Sequence, residues 1–103
     1  MNETLKLIQD EYNAAIKKHP FFANNVFPAR DTYSWSASKV LEHRREALRL
    51  EKQTKNLSAT SVLECEFLEA VEAYEVGNKD HAIQELAQCA AVIMRMIDMI
   101  KEE

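Results

Sequence analysis

Leu5, Ile8, Tyr12, Ala15 and Ile16 recur at intervals of three and four residues, which predicts an amphipathic helix over residues 3–18. A second stripe, Val40, Leu41, Ala47 and Leu48, predicts a helix from near Ser36 or Ser38 to about Lys55. A third runs from Val62 to Val76 on Leu63, Phe67, Ala70, Val71 and Tyr74, with Ser61 and Glu64 spaced as a capping box. Gly77, the only glycine in the chain, follows as a helix stop, and Asn78 with Asp80 opens a fourth helix that reaches about Ile100. Between the first and second helices the periodicity lapses. Pro20, Asn24, Asn25 and Pro28 punctuate residues 19–35, which hold Phe21, Phe22, Phe27, Tyr33 and Trp35, five of the eight aromatics. Either these rings dock over the helices, or they form a wall on which a nucleobase stacks, Trp35 and Tyr33 foremost.

Composition agrees with an all-α chain. One glycine and two prolines in 103 residues leave little to break helices, and the length suits a single domain, 1–103. A net charge of −4 gives no reason to expect nucleic-acid binding. With no long apolar run and a polar start from Met1 to Lys6, the expectation is a cytoplasmic protein without a membrane partner. Cys65 and Cys89 read as small buried hydrophobes, since no ligand spacing suggests zinc. From Leu86 to Ile100 only Gln88, Arg95 and Asp98 are strongly polar. A helix apolar on nearly every side needs more cover than three neighbours provide, so the bundle, built on a helical hairpin, is expected to be completed by oligomerisation as a homodimer or higher homo-oligomer.

The chemistry concentrates at the hairpin. Glu69 and Glu85 lie eight residues either side of Gly77, and Glu66 and Gln88 lie eleven. In an antiparallel helix pair turning at Gly77 these four side chains occupy two matching levels, and oxygen ligands converging between facing helices suit Mg²⁺. The alternative is that the glutamates are solvated surface residues. Arg44 falls within the apolar stripe of the second helix, where an arginine needs an anion. Glu51 is one candidate partner; the acidic hairpin or a substrate phosphate is another.

The stretch Leu63-Glu64-Cys65-Glu66-Phe67-Leu68-Glu69-Ala70, followed by Gln84-Glu85-Leu86-Ala87-Gln88 and the run Ala90-Ala91-Val92-Ile93, resembles the two acidic half-motifs of the MazG-like all-α nucleotide pyrophosphohydrolases, especially short phage- and prophage-type members. The resemblance implies that Glu66, Glu69 and Glu85 ligate Mg²⁺ or Mn²⁺. The family's fourth position, an aspartate, is Gln88 here. It further implies hydrolysis of a nucleoside triphosphate to the monophosphate and pyrophosphate, with Glu72 or Glu64 accepting the water's proton and Arg44, Lys52 and Lys55 contacting phosphates. The uncharged Gln88 motivates a second expectation, a non-catalytic helical nucleotide-binding or protein-interaction module of the same fold.

Overall fold

A computed structural model describes residues 3–27 and 37–103. Among them are four helices and no strand: α1 (Glu3–Lys18), α2 (Ala37–Gln53), α3 (Ala59–Glu75) and α4 (Lys79–Lys101). The bundle is all-α, as the periodicities predict, and no helix among the described residues is long and apolar enough to cross a membrane.

The α3–α4 hairpin closes through a complete Schellman motif. Asn78 N–H donates to Ala73 C=O (2.9 Å) and Gly77 N–H to Tyr74 C=O (3.0 Å), which satisfies carbonyls that the helix end would otherwise strand. Gly77 takes φ +85°, a left-handed conformation in which a side chain is strained. One residue later the Asn78 side chain accepts from His81 N–H (3.2 Å) and caps α4.

α3 starts earlier than its apolar run suggests. Its N-cap is Ser58, whose Oγ accepts from Ser61 N–H (3.2 Å), so Ser61 lies in the first turn. Glu51 explains the shift: its carboxylate accepts the Ser58 N–H (2.8 Å) and the Ser61 hydroxyl, tying the end of α2 to the start of α3. These two hydrogen bonds, that from Ser61 first, hold the Glu51 carboxyl below its ordinary pKa. Glu51 is thus a capping group and no partner of Arg44. α2 itself ends at Gln53, short of Lys55, in a second Schellman turn: Asn56 N–H donates to Glu51 C=O (2.8 Å) and Lys55 N–H to Lys52 C=O (3.2 Å), with Lys55 at φ 60°.

α3 is the central helix, lying between α2 and α4. Two small cores result. Leu41, Cys65 and Leu68 are buried between α2 and α3, with Val40 and Leu48 packed against them. On the other side Ala70 and Val71 are buried beneath Phe27, and Leu86 of α4 adds to that cluster. Of the predicted face on Leu63, Phe67, Ala70, Val71 and Tyr74 only Ala70 and Val71 are buried, and Cys65, Leu68 and Ala73 are buried as well, because a helix with two neighbours hides two stripes. Phe67 and Tyr74 remain substantially exposed and clamp Phe27 edge-on, with ring centroids at 5.8 and 5.2 Å. Phe27 thus docks as a ring over the helices, whereas Phe21 and Phe22 are exposed; Tyr33 and Trp35 lie outside the described residues.

Among the described helices α1 touches α4 alone, and Thr4 is its one buried residue. The Thr4 hydroxyl donates to Asp98 and accepts from Lys101 Nζ (3.3 Å). Of the predicted apolar stripe of α1 only Ile8 is half-buried, whereas Leu5, Tyr12 and Ile16 are exposed.

The left-handed Lys55 yields a stability test. Glycine adopts that conformation without the Cβ clash, so Lys55→Gly should raise stability by about 0.5–1 kcal/mol after the added entropy of the unfolded chain. Urea denaturation of parent and variant measures the shift in midpoint; an unchanged or lowered midpoint contradicts the strained turn.

Candidate metal centre

The mirrored spacing around Gly77 becomes geometry in the hairpin. Glu66 and Glu69 project from α3 one turn apart, Glu85 projects from α4, and one carboxylate oxygen from each lies within 4.8 Å of the other two. Glu85 is buried, at 5% exposure, whereas Glu66 and Glu69 are half-buried. The cluster has a closed inner end and an accessible outer one.

Gln88 sits at the level of Glu66, as the symmetry requires. Only one orientation of its amide satisfies the surroundings: the nitrogen donates to Glu66 Oε2 (2.6 Å) and to Glu85 Oε2 (3.2 Å). The fourth position is thus turned toward the carboxylates and donates hydrogen bonds to them. To ligate a cation through its oxygen, the amide would have to rotate.

An arginine and an imidazole border the cluster. Arg45 Nη2 lies 3.4 Å from Glu69 Oε1, and His81 Nε2 lies 3.4 Å from Glu85 Oε1 one helical turn earlier on α4. Both are partly solvated, so the Arg45 guanidinium offsets the charge only in part. With Glu72, Ala73, Val76 and Asn78, they line an open depression of about 340 Å³ that adjoins Glu69.

Arg45 lies off the apolar stripe of α2, where a helix presents solvated charge, yet it is the arginine that reaches the acidic cluster. Arg44 does not occupy a buried face: it is 48% exposed and pairs through Nε with Glu64 Oε2 at 3.0 Å. α2 crosses α3 so that consecutive arginines meet glutamates five residues apart, and an apolar wheel drawn for α2 alone carries no information about that crossing. Lys52 and Lys55 are exposed at the end of α2, and among the described residues neither forms an ion pair with the triad. Of the two candidate proton acceptors, Glu72 lines the depression and Glu64 is held by Arg44.

Gathering carboxylates out of water has an electrostatic cost. Burial first, then hydrogen bonding to Glu66 and the negative charges of Glu69 and Glu66, raise the Glu85 pKa from 4.5 to about 7. Cys65 and Cys89, each adjacent in sequence to a cluster residue, are buried free thiols whose pKa values burial also raises, so they behave as small hydrophobes. The donor set is made of hard oxygens, matching Mg²⁺ or Mn²⁺ better than a thiophilic ion.

Comparison with protein-family models, with curated proteins and with solved structures finds no match to this chain. Fold and site together define an all-α, four-helix protein, counted over the described residues, carrying a carboxylate triad able to hold a metal ion.

The shifted Glu85 fixes a pH dependence. Between about 4.5 and about 7 the folded chain holds more proton on Glu85 than the unfolded chain does, so this group's contribution to stability is lost as pH rises through that window. Without added metal, Glu85→Gln should therefore melt close to the parent near pH 5 and progressively above it toward pH 8. Melting curves that stay parallel across this range contradict the shift.

Proposed function

We propose that the chain is a Mg²⁺- or Mn²⁺-dependent nucleoside triphosphate pyrophosphohydrolase of the MazG-like all-α type. The observation that carries the reading is the convergence of Glu66, Glu69 and Glu85 from two antiparallel helices at the positions that the motif resemblance marks as ligands. The three carboxylates would hold the ion, whose chemistry is to offset phosphate charge and lower the pKa of a bound water.

The chain's own residues have distinct parts in this reading. Glu72, in the depression beside Glu69, accepts the proton of the attacking water, ahead of Glu64. Arg45, which lines that depression where Arg44, Lys52 and Lys55 do not, would meet an entering phosphate, and its planar fork suits a tetrahedral oxyanion. His81 supports the same rim. Gln88 fixes the carboxylates of Glu66 and Glu85 through its amide nitrogen. Tyr33 and Trp35, the candidate base-stacking residues, lie outside the described residues.

One observation favours a second reading, a module that binds a nucleotide without turning it over. Gln88 already satisfies Glu66 and Glu85, and it contributes no negative charge where the family has an aspartate. Binding without pyrophosphate release would select this reading.

Incubation with Mg²⁺ or Mn²⁺ and a panel of nucleoside triphosphates tests the activity by pyrophosphate release. Glu66→Gln, Glu69→Gln and Glu85→Gln should each reduce the rise in melting temperature that Mg²⁺ produces in the parent, since each removes one of three anionic ligands at nearly constant volume. Arg45→Ala should preserve that rise and increase KM. A parent whose melting temperature ignores both metals, with no pyrophosphate released, overturns the proposal.

Gln88→Asp tests the fourth position. The change raises the carboxylate count to four and removes the amide hydrogen bonds, so without metal the variant should melt below the parent. Added Mg²⁺ should then lift its melting temperature by more than it lifts the parent's. An equal rise in both proteins would show that residue 88 takes no part in binding the ion.

A further inference from the structure

The open end of the α3–α4 hairpin holds a cavity that the carboxylate cluster does not use. Val62 and Val92 lie fifteen residues either side of Gly77, one turn beyond Glu66 and Gln88, and Ala59 and Arg95 lie eighteen. α3 begins at Ala59, so past that level α4 has no helix of the hairpin opposite it. The methyl group of Ala59 is too small to fill the space at the level of Arg95. Leu57, Ala59, Val62, Val92, Met99 and Arg95, together with Ser58, line the resulting gap of about 250 Å³.

The lining is apolar apart from Ser58 and one cation. Leu57 and Met99 are 50 and 59% exposed, so apolar surface of the gap still faces water. Arg95 is its one charged group. Among the described residues Arg95 forms no ion pair, whereas Arg44, Arg45 and Arg49 each hold a glutamate. Carboxylates are not scarce, since acidic residues outnumber basic ones by 17 to 13. Glu51, whose carboxylate accepts from Ser58 N–H and the Ser61 hydroxyl, is not a lining group. Apolar walls with one placed polar group are the ordinary make-up of a small-molecule site.

We propose that this cavity binds a medium-chain fatty carboxylate, with its tail between Val62 and Val92 and its headgroup on Arg95. A guanidinium donates two parallel hydrogen bonds to one carboxylate, so a single arginine matches a single acid. A phosphate chain carries more charge than one arginine offsets, and a nucleobase would leave its polar edge against aliphatic walls. Size sets the tail. At about 30 Å³ for each water-sized group the gap takes about eight of them, which suits an eight-carbon acid whose headgroup rests at the rim. Burying that tail covers Leu57 and Met99 at the same time. The site shares no lining residue with the carboxylate triad, so it stands whether or not the chain turns over nucleotides.

Calorimetric titration with octanoate, 1-octanol and acetate separates tail from charge. Octanoate should bind one to one, octanol about tenfold more weakly or worse, and acetate without saturation. Arg95→Gln, at an exposed position, should bring octanoate down to the octanol level. It should leave octanol binding, helicity and the response to Mg²⁺ as in the parent. Val62→Phe fills the gap and should abolish uptake of both ligands. Methyl resonances of Val62, Val92 and Met99 should shift on adding octanoate, which locates the ligand in the parent even if Val62→Phe fails to fold. Equal affinity for octanoate and octanol overturns the proposal, as does an Arg95→Gln variant that binds octanoate like the parent. So do shifts confined to the exposed Phe21 and Phe22. A parent that takes up no octanoate, whether the gap is closed or filled by another copy of the chain, overturns it as well.

Discussion

Three carboxylates held together between two helices repel one another, and the rest of the structure has to keep them there. The helices cannot separate, because the Schellman turn at Gly77 and the Asn78 cap join them with no slack. Nor can α3 rotate to carry Glu66 and Glu69 into water: Cys65 and Leu68 are buried against α2, and Ala70 and Val71 beneath Phe27. What relief exists is local. Gln88 donates to two carboxylates, Arg45 and His81 flank the third side, and Glu85 holds its proton to about pH 7. A fold that depended on this cluster for stability would be poorly designed, because unlike an apolar contact it strengthens as charge is removed. Apolar packing maintains it instead, and that distribution of roles is the one expected of a functional group of residues.

The hairpin was legible in the sequence because each of its determinants is local. A single glycine between two periodic runs, followed by a capping asparagine, sets the turn, and the positions equidistant from it must then share a level. The inward position of Gln88 follows from the same arithmetic, even though its polar neighbours Gln84 and Arg95 suggest an outer strip. The start of α3 was less legible. Ser58 competes with Ser61 as cap, and what decides between them is Glu51, seven residues earlier on another helix. A carboxylate that arrives from elsewhere leaves no mark on the capping pattern itself.

Arg45 and Thr4 show the same limit at longer range. On a wheel of α2 alone, Arg44 occupies the interesting face and Arg45 the dull one. The angle at which α2 crosses α3 reverses their importance, sending Arg45 to Glu69 and leaving Arg44 with Glu64. Thr4 is fully buried although it stands at the edge of a stripe whose larger apolar members are exposed. Periodicity correctly gave α1 as a helix over residues 3–18, but it could not say which edge would be used, since a hydroxyl with two polar partners can outcompete an apolar face.

α4 shows how one helix divides its sides among different surroundings. Its side chains advance about 100° per residue, so Glu85 and Gln88 fall on one edge, Ala82 and Cys89 face α3, and Ile83, Ala90, Ile93 and Ile97 follow a third line. The polar edge is where α3 supplies matching carboxylates; on the aliphatic line Ile83 and Ile93 stay 65 and 42% exposed. A helix of 23 residues facing one of 17 also overhangs its partner, and Met99 and Ile100 extend beyond the start of α3. Hydrophobic residues placed on an overhang cannot be satisfied by any rearrangement of the hairpin, because the turn at Gly77 fixes the register of the two helices. Their burial therefore has to come from surface that α3 does not possess, which ties the length of α4 to contacts outside the hairpin rather than to the carboxylate cluster within it.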